Sequence, residues 1–447
     1  MKRKPNEYAV HRDWEWNYPI IEKTEGIYLY DTDGKKYIDG SGGSSVVVSL
    51  GHGIKEISQA MFDQAQKFSF YPAHMFSNEK ALELAEMISG YAPLGMKNNC
   101  KTWFCCTGTD ATDDAIRLAR QHFVEKGEKG KNIVITRWQA FHGNSLSAAG
   151  YSGHTFRRRI FSGMFADSPH IPPAFCYRCY FGDTYPKCNL RCAKALDTMI
   201  SQYGSENVAA FIAEPVVGAA LAAVPAPKGY FQEIRKICDK YNVLLIIDEV
   251  MTGWGRTGKM FGIEHWDTTP DIIACAKGMS SGYSPLAAVM AKKEIWAPLE
   301  KNNSAFRAGH TLNANAVSCA SGIAVINYLV KNKLTEKSKE QGEYFVKQME
   351  KELLPMPNVG DVRGKGLMVG FEIVKDKKTK EPFSAKDKKS KKLQEEAFKR
   401  GLIIYACLGS VDGGLGDMVL MAPPLIITKA QIDVVIKILK ETINACM

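Results

Sequence analysis

The stretch Pro270–Val289, PDIIACAKGMSSGYSPLAAV, contains one lysine, Lys277, with apolar residues before it and a Gly/Ser-rich run after it. Apolar packing disfavours the ammonium form, so a lysine in these surroundings can be held as a neutral nucleophile. The small residues beside it would let a flat ligand approach the backbone closely. Such a lysine can form Schiff bases with carbonyl compounds. The alternative is a solvated lysine at the end of a strand.

A second segment, Asn242–Gly258, lies about thirty residues upstream and reads NVLLIIDEVMTGWGRTG. Val243–Ile247 is an apolar run of buried-strand length that ends in Asp248 and Glu249. Carboxylates at the C-terminal end of a parallel strand lie where open α/β sheets bind ligands. An aspartate there can pair with a protonated pyridine nitrogen, although an acidic helix cap is the simpler explanation for Asp248 alone.

Together, DEVMTGWGRTG and PDIIACAKG resemble the motifs of the class III (omega) aminotransferases, which are pyridoxal-phosphate enzymes of fold type I. The resemblance extends from about Gly26 to Ile443. It implies an α/β protein whose large cofactor-binding domain, residues 61–330, contains a mainly parallel, seven-stranded type of sheet. Residues 1–60 and 331–447 are expected to form one small α+β domain from both chain ends. Active sites shared within a homodimer or a dimer of dimers are implied as well.

The resemblance also assigns the central chemistry. Lys277 would hold pyridoxal phosphate covalently and, once displaced by an amine donor, would move the proton between substrate and cofactor. Asp248 would keep the ring nitrogen protonated. The amine leaves as an aldehyde or oxo acid, and a second oxo acid reverses the cycle in ping-pong fashion.

A phosphate-binding turn is expected at Thr107-Gly108-Thr109, between an apolar strand at 101–106 and a helix at 112–125. Free N–H groups and the helix dipole would face the anion. Simple helix capping by a threonine is the alternative. The match to the family's Ser-Gly-Ser-Glu-Ala motif favours cofactor binding by Gly108 and Thr109, with Asp110 in place of the usual glutamate.

Five further cofactor contacts follow from the resemblance alone. Phe141 would stack on the pyridine ring and Val250 would pack on the opposite face, with His142 and Glu214 beside them. Thr311 would reach the phosphate of the partner subunit's cofactor. A core phenylalanine at 141 and a helix cap at 311 are the alternatives.

The substrate pocket is less well determined. Glutamate-using relatives carry an arginine before the Pro-Pro pair and a glutamate that pairs with it, but this chain has Leu420 and Ala219 there. Pyruvate-using amine transaminases often carry a mobile arginine where this chain has Tyr405. We therefore expect an amine or ω-amino acid as donor and pyruvate as the favoured acceptor. A 2-oxoglutarate-linked aminotransferase, an amino-acid racemase or epimerase, and an aminomutase remain alternatives.

Aromatic residues near the N-terminus are candidates for the wall of the substrate pocket. Trp16 and Tyr18, with Trp14 nearby, occupy the region that the resemblance places close to the site. Ordinary packing of an N-terminal arm accounts for these aromatic residues equally well.

Four cysteines, Cys176, Cys179, Cys188 and Cys192, have the spacing C-x2-C-x8-C-x3-C. Four thiolates in this range could close a zinc site or hold a cluster, as in some family relatives. The second pair is untypical of zinc ribbons, so loosely packed thiols are the preferred interpretation and no metal is expected.

The composition, 45% hydrophobic and 24% charged, is that of a soluble globular protein. No apolar run reaches bilayer-spanning length and the basic N-terminus has no apolar core, so a cytoplasmic location is expected. Much of the net charge of +10 lies in the lysine-rich segment 375–392. One aromatic residue there, Phe383, is too few to indicate a nucleic-acid partner, and a solvated loop is expected instead.

Overall fold

A computed structural model of the chain describes residues 8–447. The strands are β1 (Ile21–Glu25), β2 (Tyr28–Asp31), β3 (Lys36–Asp39), β4 (Cys100–Cys105), β5 (Ile133–Arg137), β6 (His170–Ile171), β7 (Val208–Ala213), β8 (Val216–Val217), β9 (Val224–Pro225), β10 (Leu244–Asp248), β11 (Ile272–Cys275), β12 (Ala287–Lys292), β13 (Val359–Lys365), β14 (Met368–Ile373), β15 (Leu402–Ile403), β16 (Tyr405–Val411) and β17 (Leu415–Met421). The helices are α1 (Lys55–Lys67), α2 (Glu79–Tyr91), α3 (Gly108–Glu125), α4 (Leu146–Tyr151), α5 (Thr155–Arg158), α6 (Arg191–Tyr203), α7 (Tyr230–Tyr241), α8 (Lys293–Lys301), α9 (Ala316–Lys331), α10 (Leu334–Glu352), α11 (Lys389–Lys399) and α12 (Lys429–Cys446).

A seven-stranded sheet with the order β4-β12-β11-β10-β7-β5-β6 forms the centre of the molecule. Its strands run parallel except β12, which is antiparallel to both β11 and β4. The fold is therefore α/β with a mainly parallel sheet, as predicted. Each residue of β7, β10 and β11 is buried, as expected of strands that helices cover on both faces.

Helix α3 packs on this sheet and begins close to the C-terminal end of β4. The Thr107 side chain accepts the Asp110 N–H while Asp110 accepts the Thr107 N–H, which is a reciprocal capping box. Asp110 thus has a structural role at the helix terminus. Helix α2 is capped by Asn78, whose side chain accepts the Ala81 N–H.

Besides the two-stranded β8-β9 sheet, the molecule has two four-stranded, antiparallel-rich sheets. One has the order β1-β2-β3-β15 and contains a hairpin around Asp33–Gly34; the other has the order β13-β14-β17-β16. The pairing of β15 with β3 brings residues near both chain ends into one sheet. The domain limits at 60 and 330 stay a prediction. Within residues 8–447, no helix combines the length and apolar character that crossing a membrane requires.

Arg256, in the GRTG sequence after β10, ties these parts together. Its guanidinium is buried and donates to the carbonyl oxygens of Leu367 (3.0 Å), Pro423 (2.6 Å) and Val48 (3.2 Å). The three acceptors lie in segments far apart in sequence. This part of the motif is therefore structural, since a buried cation needs such partners to be tolerated.

Candidate active site

The predicted site residues converge at one edge of the large sheet. Strand β10 ends at Asp248, which lies beside Ala274 of β11 in the parallel register. Glu214 follows the last residue of β7, and Phe141 and His142 follow β5. Parallel strands expose their carboxyl ends on the same side, so these side chains meet at that edge of the sheet.

Asp248 and His142 form a buried pair. The Nδ1 atom of His142 lies 2.7 Å from Asp248 Oδ2, and the two residues are 2% and 3% exposed. We assign the proton to Nδ1, because the partner is a carboxylate. The backbone N–H of Val250 donates to Asp248 Oδ1 over 3.0 Å. Histidine and backbone thus orient the carboxylate together.

Glu214 lies next to this pair and orders the backbone around it. Its two carboxylate oxygens accept the N–H groups of Phe141 (3.0 Å) and Gly218 (2.9 Å). Burial is the main cause that raises the pKa of Glu214, and the negative charge of Asp248 adds to that effect. Glu214 therefore holds Phe141 in place through the main chain.

Lys277 stands two residues after β11, with the positive φ of 44° that few non-glycine residues adopt. Its half-buried side chain donates from Nζ to the carbonyl oxygen of Ser45 over 2.9 Å. Burial lowers the pKa of Lys277 to about 8, the charges of Asp248 and Glu214 oppose this effect, and that of Arg157 adds to it. A substantial fraction of a lysine with this pKa is neutral at physiological pH.

The turn at the start of α3 contacts the same group of residues. A Cβ atom added to Gly108 would lie 2.7 Å from Cγ1 of Val250, so only glycine fits this close approach. The Thr109 hydroxyl accepts the N–H of Asn144 over 3.2 Å. The turn therefore lies next to the loop after β5 and next to Val250, the residue predicted to pack on one face of the cofactor ring.

The comparisons with known proteins agree with this arrangement. The family model for class III aminotransferases matches residues 11–443. This chain belongs to the class III aminotransferases. It is 34% identical over 429 residues to a putrescine–pyruvate aminotransferase of Pseudomonas aeruginosa, covering 95% of this chain and 90% of that protein. The class III aminotransferases use pyridoxal phosphate, which is the cofactor of this enzyme.

Two solved structures share the fold of this aminotransferase. An aminotransferase of Bacillus anthracis superposes with a TM-score of 0.89 at 33% identity, covering 96% of this chain and 93% of that one. An amine transaminase from an uncultivated Pseudomonas species, in a PLP-bound form, gives 0.90 at 26% identity, covering 100% and 99%. Fold type I is thus confirmed.

The residues present fit the cofactor. A glycine-hydroxyl turn at a helix N-terminus suits its phosphate, a buried acid suits a ring nitrogen, and a lysine of lowered pKa suits its aldehyde. When bound, pyridoxal phosphate supplies an electron sink for the substrate carbon. In this aminotransferase, Asp248 would hold a proton on the ring nitrogen, and His142 would orient Asp248. Lys277 Nζ, once released, would take and return the proton of the substrate carbon.

Two predicted pocket residues belong to the N-terminal arm. Trp16 packs edge-on against Phe398 of α11, with ring centroids 5.1 Å apart, and Tyr18 stacks on His11 at 4.3 Å. Both line a surface cleft between the N-terminal segment and α11, and Lys277 is not among the residues that line it. Packing of the N-terminal arm accounts for the contacts that these two residues make within the chain, and their role in a substrate pocket stays a prediction. Trp14 is largely exposed.

Thr311 is exposed, and its neighbour His310 lies 3.6 Å from Asp110 at the start of α3 of the same chain. The segment thus lies close to the phosphate-binding turn. A role of Thr311 at the partner's cofactor stays a prediction.

Cys176, Cys179 and Cys188 lie in the loop between β6 and α6, and Cys192 lies in the first turn of α6. All four are free thiols that line one narrow cavity. Nevertheless, residues 8–447 contain no group of three or more Cys, His, Asp or Glu side chains arranged to hold a metal ion. Burial and the neighbouring cysteines raise the pKa of Cys176 and Cys192, which favours the neutral thiol. The preference for packed thiols over a metal centre stays a prediction.

Sequence reasoning missed one charged residue, Arg157 of α5. Its guanidinium carbon lies 4.7 Å from the ring centroid of Phe141, and Nη2 donates to the Tyr405 hydroxyl over 3.1 Å. Tyr405 itself is opposite Leu420 in the β16–β17 register. Only the run of three arginines at 157–159 marked this position in the sequence, and such a run is usually a solvated surface.

Proposed function

We propose that this aminotransferase transfers the amino group of an amine or ω-amino acid to an oxo acid, with pyruvate favoured, by a ping-pong mechanism. Lys277 and Asp248 carry the chemistry. Gly108, Thr109, Phe141, His142, Glu214 and Val250 hold the cofactor, with Thr311 contributed by a partner subunit.

The observation that supports this acceptor is the apolar character of two linked positions. Leu420 is fully buried and Ala219 is 4% exposed, within the same core cluster. An arginine–glutamate pair, as in glutamate-using relatives, has no equivalent at these positions. Either ion alone would be costly here, because an unpaired charge is poorly tolerated in an apolar core. The similarity to a putrescine–pyruvate aminotransferase also favours pyruvate as the acceptor.

A homodimer or dimer of dimers forms part of the proposal. Large apolar side chains remain exposed in two segments near the site: Phe68, Phe70, Met75, Phe76, Phe156, Ile160 and Met164. Exposed patches of this kind usually mark protein interfaces, and a second copy of the chain would cover them. Light scattering that gives the mass of one chain would contradict this part.

A half-reaction screen tests the donor and acceptor. The yellow holoenzyme is mixed with β-alanine, 4-aminobutyrate, 1-phenylethylamine, alanine or glutamate, one at a time, and the absorbance of the lysine-bound cofactor is followed. Loss of the band with alanine and an ω-amine, but not with glutamate, is expected. Rapid bleaching by glutamate would instead assign 2-oxoglutarate as acceptor. Inversion of an amino acid's configuration without oxo-acid exchange would indicate a racemase or epimerase, and migration of its amino group an aminomutase.

The cytoplasmic location also stays a prediction.

A further inference from the structure

Arg157 is a cation beside the site residues that the proposed function leaves unused. It contacts the ring of Phe141 on one side and the hydroxyl of Tyr405 on the other. Its positive charge is close enough to Lys277 to lower the pKa of that lysine further, after the effect of burial. The guanidinium therefore lies between the predicted cofactor face and the wall formed by β16.

The guanidinium of Arg157 keeps most of its hydrogen-bonding capacity. Its one side-chain hydrogen bond goes to the neutral Tyr405 hydroxyl, and within residues 8–447 it forms no ion pair with a carboxylate. A guanidinium has five N–H donors. By contrast, the next residue, Arg158, pairs with Asp167 and donates to the carbonyl oxygen of Ser152. Arg157 is half-buried, so an anionic partner would be held in a partly water-excluded place.

The position of Tyr405 indicates which group of the substrate Arg157 could bind. Tyr405 pairs across the strands with Leu420, so two uncharged side chains lie side by side on one sheet, at positions where family relatives carry a substrate-binding arginine. Arg157 approaches Tyr405 from a different element, α5. Burial is the main cause that raises the pKa of Tyr405, so its hydroxyl stays protonated and can both accept from Arg157 and donate to an anion.

We propose that Arg157 binds the carboxylate of the substrates, both that of an ω-amino acid donor and that of the oxo acid acceptor. Tyr405 is the positioning residue that orients the guanidinium. The fork of a guanidinium matches a carboxylate in a bidentate manner, which a lysine cannot reproduce. This inference rests on the proposed function, whose acceptor would otherwise have no anchor.

Matched substrates test it. The half-reaction is measured with β-alanine and with propylamine, which differ by the carboxylate, in the wild type, Arg157→Gln and Arg157→Lys. The aminated enzyme is then mixed with pyruvate for the acceptor side. Arg159→Gln is the control, since Arg159 is exposed and lies two residues away with the same charge. Propionate is also titrated against each holoenzyme, with the bound cofactor's absorbance as readout.

Arg157→Gln should lower kcat/KM for β-alanine and pyruvate about 10- to 100-fold, mainly through KM, because it removes a charge-assisted hydrogen bond. The rate with propylamine should change less than about threefold, and the Kd for propionate should rise about 10-fold or more. Arg157→Lys should recover part of the loss. Tyr405→Phe should give a smaller, carboxylate-dependent loss. The Arg159→Gln variant should behave as the wild type.

Equal losses for β-alanine and propylamine, or an unchanged Kd for propionate, would overturn the role of Arg157. If the wild type converts neither amine yet binds propionate in an Arg157-dependent way, the donor and acceptor assignment fails while the anion site stands. If the wild type neither reacts nor binds propionate, both are contradicted.

Discussion

The lowered pKa of Lys277 has a measurable consequence for the loading of the cofactor. The neutral amine must attack the aldehyde, so the loading rate follows the neutral fraction. With a pKa of about 8, caused chiefly by burial, roughly a quarter of Lys277 is neutral at about pH 7.5. A solvated lysine with an ordinary pKa near 10.4 would be about one part in a thousand neutral. The cleft should therefore accelerate loading about 200-fold at that pH.

The assay is stopped-flow absorbance of the apoenzyme mixed with pyridoxal phosphate between about pH 6.5 and 10. The rate should rise about tenfold per pH unit below 8 and level off above it, because the neutral fraction saturates there. The same reaction is run with free lysine whose α-amino group is blocked, and its rate corrects for the titration of the cofactor. A corrected rate that keeps rising to about pH 10 would refute the lowered pKa.

The sign of the linked stability change can be worked out as well. The folded-state pKa of Lys277 lies below its unfolded value, so folding of the apoenzyme releases a proton between about pH 8 and 10.5. The contribution of this lysine to stability therefore rises with pH across that window. Arg157→Gln, which removes a neighbouring positive charge, should move the bend of the loading profile to higher pH.

Two further substitutions test the architecture. Gly108→Ala should weaken pyridoxal-phosphate binding about 10-fold or more, because the added Cβ would lie 2.7 Å from Val250 Cγ1; an unchanged Kd by cofactor titration would contradict this contact. Arg256→Met should lower the free energy of unfolding by about 2–4 kcal/mol in a urea titration, because it leaves three carbonyl oxygens without a donor. The control is Lys259→Met at an exposed site nearby, which should change the free energy of unfolding by less than about 0.5 kcal/mol.

The sequence was sufficient for features that depend on local pattern. The apolar run Val243–Ile247 matches β10, and Asp248 closes that strand where the switch from apolar to acidic residues indicated. The seven-stranded sheet followed from the family resemblance, which rests on a long match. Residues placed directly after such strands were therefore expected at one edge, and the structure locates them there.

Contacts between segments distant in sequence could not be predicted in the same way. Trp16 packs on Phe398, and no periodicity in residues 8–20 indicates that partner. Arg157 reaches Tyr405 across 248 positions, so the run of arginines gave no sign of a cleft. The same holds for Arg256. Its motif was recognised in the sequence, but its carbonyl partners depend on how the sheets are assembled.

The most direct test of the account is to locate the lysine that carries the cofactor. The holoenzyme is reduced with borohydride, digested with trypsin and analysed by mass spectrometry. The phosphopyridoxyl group should lie on Lys277, in a peptide Met260–Lys292 that trypsin no longer cleaves at that lysine. Finding the phosphopyridoxyl group on another lysine, or on no lysine, would contradict the assignment of Lys277 and of the site around Asp248.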